Sequence, residues 1–349
     1  EIVLDHMGED IRRRLVITTA PDGTEFALRP DFTLPLALWQ IEKGSPQGGR
    51  YAYSGYAFRF PTSGDKSRVS AEFRQVGIED YGSDDAAEAD AQAVVRAMAA
   101  LEEGGLTLPR LTIGDVSIFA ALVDCLALGE VWSARLRRRF WRHRETGDIA
   151  AALSSTQDNA TDSEAALGMA LARMDRDDAR SVIGEVLAIA GADGAGGRGA
   201  DEIAARFAQK AREAQGEVPG PEIGALIDRY LDIEVEAGEA VVQLKAFAAD
   251  GGIDLDQPIA DLEIRLELIE KQGFSLNAAT FSTAAGRRIE YYTGLVFEAR
   301  ARDWEDLGPI AGGGRYDSFL TDLGAPQPLR AVGCSIYADR LAMVLGEHQ

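Results

Sequence analysis

Two blocks of strand-like sequence, held apart by about 160 residues of helical character, constrain this chain more than any other feature. Residues 24–28, 50–60, 71–80 and 107–114 are rich in Tyr, Phe, Val and Ile with partial alternation, the pattern of strands in an antiparallel sheet. Among them lies one helix, "DDAAEADAQAVVRAMAALEEGG", with Asp84 or Asp85 as its cap, apolar residues at helical spacing and glycine at its end. From about 116 to 275 the chain turns to Ala, Leu, Glu and Arg at helical periods, with a soft interval, "GADGAGGRGAD", at 191–201. Strand character resumes in "AATFST", "EYYTGLVFEA" and "AVGCSIYA", and the apolar helix "DRLAMVLGEH" follows. One sheet domain, 1–115 with 276–349, interrupted by a helical insertion at 116–275, is the organisation these runs predict, and it places the chain in the α+β class.

Composition narrows the function. The formal charge of -21 opposes the phosphate neutralisation behind nucleic-acid affinity, so no nucleic-acid partner is expected. Arg135, Arg137, Arg138, Arg139, Arg142 and Arg144 crowd one predicted helix and read as a solvated or partner-facing surface. No stretch approaches the roughly 20 apolar residues of a membrane span. Three histidines, His6, His143 and His348, stand outside any metal or Ser/His/Asp pattern, so neither a metal nor a cofactor is expected. Cys125 and Cys334 lie in apolar surroundings without ligand spacing and read as small core residues of a protein in a reducing cytoplasm.

Chemistry concentrates in a few segments. "YAYSGYAFRF" and "AEFRQVGIEDYG" are joined by "PTSGDKSRVS", which suits a long hairpin loop. Alternation puts Gln75, Gly77 and Glu79 on one strand face, which is either solvated or, if inward, in need of a polar partner. In "EYYTGLVFEA" the same alternation sets Glu290, Tyr292 and Gly294 against Tyr291, Thr293 and Leu295, and a tyrosine pair of this kind is most often core. The glycine triplet of "IAGGGRYD" marks a tight turn or a close backbone approach.

Taken in order, "LRPDFT", "FRF…FRQVGIEDYG", "RRIEYYTGLVFEA", "GGGRYD" and "AVGCSIYADRLAMVL" resemble histidyl-tRNA synthetase over residues 8–115 and 276–345. The resemblance implies a class II aminoacyl-tRNA synthetase-like antiparallel sheet flanked by helices, with a pocket for histidine. In that family "LRPEGT" holds the amino acid, which carries over to Asp31 and Thr33. The motif 2 arginine carries over to Arg59, the gripping glutamine and glutamate to Gln75 and Glu79, and the histidine-specific segment to Arg287, Tyr291 and Tyr292. This set makes chemical sense, since an ammonium group seeks carboxylates and a carboxylate seeks a guanidinium fork.

Departures from the synthetase pattern fall on the nucleotide side. Arg59 is followed by Phe60 and Pro61 where the family has a glutamate that helps hold ATP, and Tyr337 replaces a small glycine where it would crowd the adenine space, although Arg340 persists. Arg287 and Arg288 stand where the family has an arginine and a glycine, and an anticodon-reading segment after the last helix is not expected. This combination resembles the regulatory subunits of ATP phosphoribosyltransferase. The resemblance implies a chain with no activity of its own, and a homodimer within a hetero-oligomer with the short-form catalytic subunit of ATP phosphoribosyltransferase. It also implies free histidine as a feedback ligand in the first step of histidine biosynthesis. A truncated histidyl-tRNA synthetase and a pure scaffold with a vestigial pocket are the two alternatives the sequence leaves open.

Overall fold

The computed structural model describes residues 11–44, 48–61, 70–142, 174, 176–189, 219–286 and 290–346. The chain divides into two compact units, residues 1–122 with 230–349, and residues 123–229. The soft interval at 191–201, the hairpin loop at 62–69, Arg144, Arg287, Arg288 and the three histidines lie outside the described residues.

The elements in chain order are β1 (Ile17–Thr19), β2 (Glu25–Ala27), α1 (Thr33–Lys43), β3 (Gly49–Phe58), β4 (Glu72–Tyr81), α2 (Ala86–Glu103), β5 (Arg110–Asp115) and α3 (Val116–Cys125). Next come α4 (Gly129–Arg142), α5 (Arg176–Ile189), α6 (Pro221–Leu231), β6 (Glu234–Glu236), α7 (Ala240–Gly251) and α8 (Asp256–Lys271). The chain then adds β7 (Ala279–Ser282), β8 (Leu295–Arg300), β9 (Ala311–Arg315), α9 (Phe319–Asp322), β10 (Ala331–Tyr337) and α10 (Ala338–Gly346).

An eight-stranded sheet in the order β3-β4-β10-β9-β8-β5-β7-β6 forms the first unit, while β1 and β2 pair as a separate hairpin. The expected antiparallel pairing holds for every neighbour except β5 and β7, which run parallel. The α+β expectation therefore stands, with a mixed sheet. The insertion is narrower than 116–275, because β6 hydrogen-bonds to β7 and α8 packs on α2, so residues 230–275 belong with the sheet.

Helix α2 begins where its cap predicts, with the Asp85 carboxylate accepting from Glu88 N at 3.0 Å. Its buried stripe of Ala89, Ala93, Val94, Ala97, Met98 and Leu101 lies against β9 and β10. Each large apolar side chain so buried contributes roughly 1.5–3 kcal/mol. Two strand expectations need correction. The run "EYYTGLVFEA" enters its strand only at Leu295, leaving Tyr291 and Tyr292 in the turn ahead of it. The glycine triplet is not a turn but the middle of central strand β9, where a Cβ on Gly313 would meet the Gly333 carbonyl of β10. Cys334 is buried as expected, whereas Cys125, at the end of α3, is exposed.

In the second unit, α4 carries Arg135, Arg137 and Arg139 of the basic cluster on a helix that buries Trp132, Leu136 and Phe140. Arg137 pairs with Asp124 and the Arg135 guanidinium lies 4.7 Å over the Trp132 ring, so part of that charge is already engaged.

Candidate functional site

The pocket is built on the pairing of β3, β4 and β10. Gln75 and Glu79 project from β4 on the inner side, only 3% and 1% exposed, which excludes the solvated alternative for that face. Tyr53 of β3 stands opposite Gly77 in the register, and a Cβ on Gly77 would overlap the Tyr53 hydroxyl and the Cys334 carbonyl. The glycine between Gln75 and Glu79 thus leaves room for a phenol.

A second wall comes from the turn ahead of α1. Phe58 N donates to Arg29 O at 2.9 Å, which ties this turn to β3, and Leu34 N donates to Asp31 Oδ1 at 3.4 Å. Thr33 Oγ1 then donates to Glu79 Oε1 at 2.8 Å, joining α1 to β4 inside the pocket. The third wall is aromatic. Tyr291 stacks on Phe319 with centroids 4.6 Å apart, Tyr292 lies edge-on to it at 5.2 Å, and the Tyr316 hydroxyl donates to Glu79 Oε2 in a short hydrogen bond.

Asp31, Thr33, Arg59, Gln75, Glu79, Tyr291 and Tyr292 therefore line one cavity, while Arg287 lies outside the described residues. The space traced by water centres is about 60 Å³, room for a handful of waters at roughly 10–15 Å³ each, so an occupant must be small. Sequence reasoning missed Tyr53 and Tyr316 as pocket residues. A signal existed for Tyr316 in its place beside Arg315 in "GGGRYD", and for Tyr53 only once the strand register was known.

Electrostatically the cavity is acceptor-rich. Burial pushes the Glu79 carboxyl up to about 8; its hydrogen bonds from Tyr316 and Thr33 offset this only in part, and Asp31 adds to it. Burial also raises Asp31, against the pull of Arg59 and of the backbone N–H groups at Leu34 and Thr33. Gln75 Oε1 is buried without a hydrogen-bond partner. Such a set suits a small cation bearing N–H donors. Among the described residues no group of His, Cys, Asp and Glu could hold a metal ion.

The other end of the cavity is filled from within. Arg59 Nη2 donates to Tyr337 OH at 3.0 Å, and the Arg59 guanidinium lies 5.0 Å over the Phe73 ring. The Tyr337 ring is 5.5 Å from Phe73, and Arg340 sits 4.5 Å over it while donating to Pro309 O at 2.7 Å. Burial pushes the Tyr337 phenol up, but Arg59 and Arg340 outweigh it and hold the group below its ordinary value.

Behind the sheet, Arg315 fixes the strand that delivers Tyr316. Its guanidinium grips Asp90 of α2 at 2.7 Å and 2.8 Å and donates to Asp317 Oδ1 at 2.7 Å. Arg265 of α8 binds the same Asp90 at 2.7 Å, and Asp317 Oδ1 also accepts from Ala331 N at 2.7 Å. Arg315 is thus a brace rather than a pocket group.

A class II synthetase-like sheet carrying an acceptor-rich pocket is what the fold and the site define. The family of histidyl-tRNA synthetase matches over residues 1–188 and 227–341. An ATP phosphoribosyltransferase regulatory subunit of Brucella anthropi is 36% identical over 348 residues, covering 99% of this chain and 90% of that protein. One from a Chelativorans species is equally similar, at 36% identity with the same coverage. Among solved structures, an ATP phosphoribosyltransferase regulatory subunit/histidyl-tRNA synthetase of Bacillus halodurans is similar with a TM-score of 0.61 at 21% identity, over 95% of this chain and 68% of that one. A histidine–tRNA ligase subunit of Alicyclobacillus acidocaldarius gives 0.52 at 21% identity, over 99% and 85%. These two likenesses concern the fold alone. The chain belongs to the ATP phosphoribosyltransferase regulatory subunits, the non-catalytic branch of the histidyl-tRNA synthetase-like family. Among its described residues no helix is long and apolar enough to cross a membrane.

Proposed function

We propose that this regulatory subunit binds free histidine in the pocket of Asp31, Thr33, Arg59, Gln75, Glu79, Tyr291 and Tyr292, with Arg287 joining it. We further propose that it transmits that occupancy to a short-form catalytic subunit of ATP phosphoribosyltransferase. One observation carries the reading: an acceptor-rich cavity survives beside a compartment occupied by the chain's own Tyr337, wedged between Phe73 and Arg340. A chain that holds an amino acid while its own Tyr337 stands on the side that the resemblance gives to adenine can sense histidine without activating it. Feedback then needs only that histidine bind one quaternary state better than the other, and a coupling of about 1–3 kcal/mol gives roughly 5- to 150-fold control.

We also place the chain as a homodimer within that hetero-oligomer, in the cytoplasm, with no nucleic-acid or membrane partner. The β1–β2 hairpin supports the pairing: Ile17 and Phe26 are 48% and 55% exposed on a two-stranded ribbon of the kind that is marginal alone. The charge of -21 disfavours nucleic acid, and two free cysteines suit a reducing compartment.

The test is to co-express the chain with a short phosphoribosyltransferase subunit and measure product formation with and without histidine. Activation by this chain, and inhibition by histidine that disappears in Glu79→Ala, is the expected result. Brisk histidine-dependent exchange between ATP and pyrophosphate by the chain alone would restore the synthetase alternative. No calorimetric heat with millimolar histidine would leave only the scaffold.

A further inference from the structure

Helix α1 begins on a residue poorly suited to begin it. Phe32 stands at the N-cap, where Ser, Thr, Asp or Asn would offer a side-chain oxygen to the first turn and a phenyl ring offers none. The ring is used elsewhere. It lies against Tyr53 of β3 with centroids 4.8 Å apart and planes 15° from parallel, and the Arg29 guanidinium sits 4.9 Å from its centroid. Arg29 is itself tied to β3, its Nε donating to Tyr56 O at 2.6 Å and its carbonyl accepting from Phe58 N at 2.9 Å. Two glycines make room for this stack. A Cβ on Gly55, two residues from Tyr53 on the same strand face, would run into Cζ of Phe32, and one on Gly77, opposite Tyr53 in the register, would run into the Tyr53 hydroxyl. Gly77 lies between Gln75 and Glu79 on the face of β4 that lines the cavity, so the Tyr53 hydroxyl fills the place of the side chain that Gly77 lacks. A ring stacked on its neighbour beneath a guanidinium is held to one orientation.

We propose that Tyr53 is a further ligand-contacting residue of this pocket, its hydroxyl meeting a ring nitrogen of the bound amino acid, and that Phe32 and Arg29 are the positioning residues that hold it there. The inference rests on the histidine reading and goes beyond it by naming a group that selects the ring, together with that group's support. Hydrogen-bonding capacity divides the labour. An ammonium group seeks the carboxylate of Asp31 and a carboxylate seeks the guanidinium of Arg59, whereas a neutral imidazole offers one N–H donor and one bare nitrogen. A phenol both donates and accepts, so it can answer either nitrogen. A side chain of similar size whose ring carries no nitrogen gains nothing from that hydroxyl and leaves it unmet, which makes Tyr53 a discriminator between rings.

The experiment is calorimetry of L-histidine binding to the full chain, to Tyr53→Phe, to Phe32→Leu and to the double variant, with NMR of ring-¹⁵N histidine bound to the parent and to Tyr53→Phe. Tyr53→Phe removes the hydroxyl and keeps the stack. A loss of roughly 2- to 13-fold in affinity is expected, the range for one neutral hydrogen bond, together with a displaced ring ¹⁵N resonance. Phe32→Leu is expected to lower affinity in the parent chain but to change it by less than about twofold in the Tyr53→Phe background, because the support then has no hydroxyl to position. Equal losses from Phe32→Leu in both backgrounds would mean a merely structural role and overturn the positioning. Tyr53→Phe binding as tightly as the parent, or ring resonances that stay in place, overturns the contact and leaves the histidine reading intact. Absence of histidine binding by the parent chain removes that reading, and the inference with it.

Discussion

The guanidinium of Arg59, the residue after β3, and the phenol of Tyr337, the last residue of β10, are joined by a hydrogen bond of 3.0 Å, although β4 lies between those two strands in the sheet. The arginine that the synthetase pattern assigns to the substrate's carboxylate and phosphate groups here spends one of its nitrogens on a side chain of the same molecule, and its Nε is buried without a partner.

Tyr337→Phe removes that acceptor and leaves a second buried Arg59 donor unmet. A loss of about 1–3 kcal/mol in unfolding free energy is expected, the cost of an unsatisfied buried polar group, and urea titration at constant m-value measures it. Tyr337→Gly goes further by emptying the space between Phe73 and Arg340, and is expected to confer ATP binding detectable by calorimetry where the parent chain shows none.

Gly333→Ala tests how closely β10 approaches the pocket acid. Gly333 stands opposite Glu79 in the register, and a Cβ there would run into Glu79 Oε2. The carboxyl must swing away from Thr33 and Tyr316 or the strands must part, so about 1–3 kcal/mol of overpacking strain is expected. Histidine affinity should fall with it, and a variant binding as the parent does would show that Glu79 can move freely.

Stability of the ligand-free chain should depend on pH through Glu79. Its carboxyl lies at about 8 in the folded chain against 4.5 ordinarily, so between these values the native state holds a proton that the unfolded state has released. Unfolding free energy therefore decreases as pH rises through that window and levels off above it, by on the order of 5 kcal/mol in all. Denaturant titrations at mildly acid and mildly alkaline pH measure this, and the difference between the two should be smaller in Glu79→Gln.

Arg315→Leu strips Asp90, which is wholly buried, of one of its two arginine partners. Removal of one member of a buried pair costs about 3–5 kcal/mol, and the double variant Asp90→Leu with Arg315→Leu should cost less than the sum of the two single changes. Arg315→Lys is expected to recover little, because a single ammonium cannot grip Asp90 and Asp317 together. Thermal unfolding of the four proteins closes the cycle.

What the sequence determined by itself was local or carried by motif. Alternation in "FRQVGIEDYG" fixed that Gln75, Gly77 and Glu79 share a strand face, the Asp85 cap fixed where α2 begins, and the ordered segments pointed to the pocket residues. Short-range sterics and hydrogen bonding settle such features, and they leave their mark within a few residues. Which face turns inward, that "GGG" runs through a central strand, that residues 230–275 join the sheet, and that Tyr53 and Tyr316 complete the pocket were decided only in three dimensions. Each of those depends on partners from 24 to more than 200 residues away in the chain: Gly77 of β4 makes room for Tyr53, Glu79 meets Tyr316, and Arg59 meets Tyr337. Strand register and long-range pairing, to which no local pattern responds, bring those side chains within bonding distance.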